Sequence, residues 1–128
     1  MNKTENINEK STDYVEFIIY RIPRKNQEPM LQLNKKSLDF FSKEGVKYDN
    51  FKLGNTENIP GFTNITKTIS AASDDEVWMD LLYYRDRKHR DEFASNMSNN
   101  KDSQEACQEF MKLTTPGSEI INGEFSRL

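Results

Sequence analysis

Two stretches of the chain are apolar on both of their alternating faces, and they set the fold. In Tyr14–Ile22, Tyr14, Ile18, Tyr20 and Ile22 point one way, and Val15, Phe17 and Ile19 the other. In Glu76–Tyr84, Val77, Met79, Leu81 and Tyr83 oppose Trp78, Leu82 and Tyr84, with Asp80 among the latter. A strand wet on one side alternates cleanly between apolar and polar. These two strands therefore belong to a sheet covered on both faces. Pro23 ends the first strand because proline brings no N–H to a ladder.

Helical spacing follows each strand. Asn26 is placed as an N-cap, with Pro29 in the first turn. Met30, Leu33, Ser37, Leu38 and Phe41 form the stripe, and Gly45 supplies the stop. Val46–Leu53 reads as a weaker second strand. Gly54–Asp75 is a long connection, with Phe62, Ile65 and Ile69 as anchors and either a strand extension or a short helical turn inside it. After the third strand, Asp86 stands as N-cap of a helix whose inner stripe is Phe93, Ala94 and Met97. Ser103–Leu113 reads as a short helix with Ala106, Cys107, Phe110 and Met111 inward. Thr115-Pro116-Gly117 makes a turn, and Glu119–Leu128 is the last strand, with Gly123 read as a bulge.

The order β-α-β-β-α-β is the ferredoxin-like α+β plan, in which helices cover one face of an antiparallel sheet. The other face would carry aromatic and aliphatic side chains, too much apolar surface for a lone soluble chain. Face-to-face pairing of two sheets, a dimeric α/β barrel, covers it. A homodimer is therefore expected, with residues 14–128 as the single domain and residues 1–13 as a disordered polar tail.

Composition narrows the partners. The 128 residues carry a net charge of −3, and charged residues make up 30% of the chain. No basic patch of the kind that binds nucleic acid or an anionic membrane is visible, and no apolar run approaches a membrane span. The single cysteine, Cys107, cannot close an intramolecular disulfide, which fits a reducing cytoplasm.

Four segments resemble the small YbaA-like family, a domain of unknown function. Tyr14-Val15-Glu16 with Ile22-Pro23 is similar to that family's first strand. Gly45 with Asn58-Ile59-Pro60-Gly61 is similar to its second-strand start and later turn. Tyr84 through Asp91 is similar to its strand-to-helix junction, and Ile120-Ile121-Asn122-Gly123-Glu124-Phe125 to its last strand. The turn before that strand is shortened here to Thr115-Pro116-Gly117. The resemblance implies a dimeric α/β barrel and brings no activity with it.

Candidate chemistry is sparse. One histidine and one cysteine cannot build a structural zinc site, and no glycine-rich phosphate loop is present, so no metal or cofactor is expected. Glu16 and Asp80 are acids within apolar strands. A buried acid is costly unless paired, so each marks a ligand pocket or a polar dimer seam, or else faces solvent at a sheet edge or pairs with Arg21 or Arg85. Trp78, Tyr20, Tyr83 and Tyr84 are candidate walls for a flat organic ligand, and Trp78 and Tyr20 share strand parity with Asp80 and Glu16. His89, with Asp86 one turn away, is either a base or a helix-start fixture. The ligand-site candidates are thus Glu16, Tyr20, Trp78, Asp80 and His89. They suit a small-molecule-binding or structural homodimeric module. The alternative is a cofactor-independent monooxygenase acting on a small aromatic substrate, an analogy of fold only.

Overall fold

The computed structural model describes residues 12–128. The expected tail falls on residues 1–11, outside the described residues, except for Thr12 and Asp13. The backbone carbonyl of Asp13 accepts from the Arg127 N–H at 2.8 Å.

Strand β1 (Tyr14–Pro23) leads through a single 3-10 turn, Arg24–Asn26, into helix α1 (Gln27–Lys43). Strand β2 (Lys47–Lys52) is followed by the short helix α2 (Ile65–Thr68) and strand β3 (Asp75–Tyr84). Helices α3 (Arg87–Ser98) and α4 (Lys101–Leu113) precede strand β4 (Ile121–Ser126). The sheet order is β2-β3-β1-β4, with every pair antiparallel. This is the expected α+β ferredoxin-like arrangement, with β1 and β3 at the centre.

Register assigns the faces. Tyr20 lies opposite Trp78 and Ile18 opposite Asp80, so the even-numbered residues of β1 and β3 share the side packed by helices. Two apolar clusters form there. Tyr20, Ile22, Met30, Trp78 and Leu113 make one; Val46, Leu82, Tyr84 and Phe93 make the other. The odd-numbered residues Val15, Phe17, Ile19, Met79, Leu81 and Tyr83 make up the bare face and are only partly buried.

Several local expectations are corrected. Asn26 holds the N-cap position of α1 but makes no capping side-chain hydrogen bond; its amide donates to the Leu113 carbonyl and ties the helix start to α4. Leu38 is exposed, and Phe40 takes its place against Phe93. The long connection contains a helical turn capped by Asn64; Ile69 is buried in it, but Phe62 is exposed. Helix α4 begins earlier than expected, capped by Asn100, and turns Ser103 and Leu113 inward while leaving Cys107 and Met111 exposed. Gly123 is not a bulge. It pairs in register with Phe17, and a Cβ there would stand 2.8 Å from the Phe17 ring.

Candidate functional site

Between the two apolar clusters lies a cleft of about 1460 Å³, with Glu16, Ile18, Asp80 and Leu82 among its lining. Glu16 and Asp80 are diagonal neighbours, because Glu16 pairs with Leu82 and Ile18 with Asp80. Aromatic walls come from Phe40 and Phe41 of α1, Tyr48 of β2, Phe93 of α3 and Phe110 of α4.

The two acids are handled differently. Glu16 is neutralised: Arg90 from α3 reaches its Oε2 at 3.4 Å, and the Tyr84 hydroxyl donates to its Oε1 at 3.0 Å. Arg90 also pairs with Glu124 of β4 at 3.3 Å. Like charges directly opposite on neighbouring strands repel, and Glu16 and Glu124 are such a pair. Arg90 is the cation that makes them tolerable.

Asp80 has no cation. It is 6% exposed. Its Oδ1 accepts from the Tyr20 hydroxyl at 2.9 Å and from Asn50 Nδ2 at 2.6 Å. Among the described residues no donor closes a hydrogen bond to Oδ2. Burial pushes the carboxyl up to about 6, against the opposing pull of Tyr20, Asn50 and the nearby Tyr48 hydroxyl. Burial, then the charge of Asp80, holds the Tyr20 hydroxyl far above its ordinary range, so it remains a donor. Tyr48 is pushed up for the same two reasons. Tyr48 Oη and Asn34 Nδ2 are buried without a hydrogen-bond partner, and both residues line the cleft. Buried polar atoms without partners are uncommon in native interiors. Here the Tyr48 hydroxyl stands near the Asp80 carboxylate and the Asn34 amide near the Tyr20 hydroxyl.

Of the residues expected from sequence, Glu16 and Asp80 are brought together in the cleft, with Tyr20 behind Asp80 as its donor. Trp78 is packed in the core and donates from Nε1 to Glu76. His89 sits elsewhere. Its Nδ1 accepts from the Arg85 N–H at 3.1 Å, so Nε2 carries the hydrogen and donates to the Glu44 carbonyl at 2.7 Å. Asp86 caps the His89 N–H at 2.8 Å. The histidine thus clips the start of α3 to the end of α1. Asn34, Tyr48 and Asn50 were not singled out from sequence; the available signal was their polarity among residues of core-facing parity. Among the described residues, no group of three or more His, Cys, Asp or Glu is arranged to hold a metal ion, and no helix is long and apolar enough to cross a membrane.

No curated protein sequence matches the chain. Among solved structures, SnoaB, a cofactor-independent oxygenase from Streptomyces nogalater solved as a mutant, aligns over 89% of this chain and 92% of its own at 10% identity, with a TM-score of 0.53. The de novo designed protein Foldit4 aligns over 90% of this chain and 97% of its own at 14% identity, with a TM-score of 0.49. The SnoaB likeness is one of fold: an α+β sheet with helices on one face. A family model described as a protein of unknown function (DUF1428) matches residues 13–114, most of the domain that builds the cleft, and the chain belongs to that family.

Proposed function

We propose that the protein is a small-molecule-binding module of the YbaA-like type, acting as a cytoplasmic homodimer, and that its ligand occupies the cleft between the sheet and the helices. The observation that carries this is Asp80: a buried acid with no cation beside it, lining a cavity that aromatic residues also line. A closed, packed interior would have favoured a purely structural role. The volume here exceeds the ~300 Å³ at which ligand pockets begin. The unpartnered Asn34 amide and Tyr48 hydroxyl favour a ligand that brings polar atoms as well as a flat apolar body. The test is an amide-resolved NMR titration against a fragment library. Binders are expected to shift the signals of Ile18, Leu82 and Phe93. A library that shifts only residues outside the cleft would overturn the proposal.

A second reading is a cofactor-independent oxygenase for electron-rich aromatics. It is favoured by the fold likeness to SnoaB together with a carboxyl near neutrality that could take a proton from a substrate. Oxygen uptake with phenolic substrates, lost in Asp80→Asn, is the result that would move the assignment from binder to enzyme.

A further inference from the structure

We infer that the cleft selects cations: its ligand carries an aromatic body and a protonated amine that pairs with the Asp80 carboxylate. This deepens the binding proposal and rests on it. Three observations converge. First, every cation near the floor is already engaged or distant. Arg90 is shared between Glu16 and Glu124. Lys36 and Lys43 line the cleft from exposed positions on α1. The groups that face Asp80 are Tyr20 from β1, Tyr48 and Asn50 from β2, with Asn34 of α1 beside Tyr20, and none can carry a positive charge. An ionised Asp80 is therefore uncompensated, and a bound cation relieves a cost the fold otherwise bears. Second, the cleft is acidic as a whole: its lining holds six acids against three bases, with Asp102, Glu105 and Glu109 of α4 among the acids. A cleft lined by one sign of charge concentrates ligands of the other. Third, the lining carries aromatic rings from Phe40, Phe41, Tyr48, Phe93 and Phe110, and a ring face attracts an ammonium group.

Binding of the cation is linked to the charge on Asp80. The carboxyl must be ionised to form the pair, so affinity rises with pH through its midpoint at about 6. A neutral ligand of the same shape lacks that dependence.

The experiment compares phenethylamine, phenethyl alcohol and phenylacetate on the full chain by amide-resolved NMR titration, at about pH 8 and about pH 5. The amine is expected to bind about tenfold more tightly than the alcohol at the higher pH, with phenylacetate weakest. The amine's advantage should vanish at the lower pH and in Asp80→Asn, with unfolding curves showing that the variant is folded. Asp39→Asn, which removes an exposed charge outside the cleft lining, should retain it. Equal binding of amine and alcohol in the cleft, or preference for phenylacetate, overturns cation selection but leaves the cleft as a ligand site. An amine preference abolished by Glu105→Gln and not by Asp80→Asn places the cation at the rim and overturns the role of Asp80. Failure of all three to shift cleft residues overturns cation selection and counts against the binding proposal.

Discussion

Glu16 and Asp80 are two acids on adjacent strands with opposite electrostatic fates, and the difference can be measured. Asp80 holds its proton more tightly in the folded chain, at about 6 against an ordinary 3.8. The cost of burying its charge is absent below the unfolded value, grows between the two, and is complete above the folded one. Replacing Asp80 by Asn removes that cost. The variant should gain stability relative to the wild type as pH rises through this window, reaching about 3 kcal/mol at most. Denaturant unfolding across the window checks this, and a pH-independent difference would mean that Asp80 is solvated in the folded state. His89→Gln should behave differently. It breaks the clip between the Arg85 N–H and the Glu44 carbonyl, costing about 1–3 kcal/mol, while leaving ligand affinity unchanged. Strand parity made Glu16, Tyr20 and Asp80 legible from sequence. Parity assigns a face but not a depth, which is why Trp78 shares the face and still lies in the core. The partner of His89 is 45 residues away, and no local pattern announces a carbonyl at that distance.

Among the elements, the strongly patterned ones were read best. The end of α1 was marked by Gly45, which lies at φ +72°. Gly45 N–H returns to the Ser42 carbonyl and Val46 N–H to the Phe41 carbonyl, the pairing of a Schellman motif. Phe41 and Val46 belong to the same apolar cluster, which completes it. Gly45→Ala should cost about 1 kcal/mol, because an L-residue is strained there; a shift in the thermal midpoint reads it. Helix α4 was harder to read because its chain has several apolar positions and one inward stripe. The Asn100 cap decides the phase, and Cys107 and Met111 turn outward. Gly123 lies in the last strand, as its sequence context implies, but as a regularly paired residue and not as a bulge. It leaves room for Phe17, which stacks on Phe125 at 5.4 Å. Gly123→Val should displace that ring and destabilise the β1–β4 edge, seen as faster amide exchange at Ile121 and Phe125 with β3 left protected.

For the whole molecule, the bare sheet face is the surface proposed for pairing. Phe17, Ile19, Met79 and Leu81 form its centre and remain partly accessible in one chain, while Phe125 is 55% exposed. Light scattering of the protein should give about twice the 15.0 kDa chain mass. Leu81→Lys should give a folded monomer, since one buried unpaired charge is enough to open an apolar interface. A wild-type monomer at micromolar concentration would refute pairing through this face. The alternation of β1 and β3 has a further consequence, for how such a chain can change over evolutionary time. Odd-numbered positions on these strands face the proposed partner, and even-numbered ones face the cleft or its supporting core. On the proposed ligand site and pairing face, point substitutions can thus retune one without disturbing the other. A single inserted residue within β1 cannot, because it exchanges the two sets beyond the insertion, carrying a charged Glu16 or a Phe17 to the side where the other belongs.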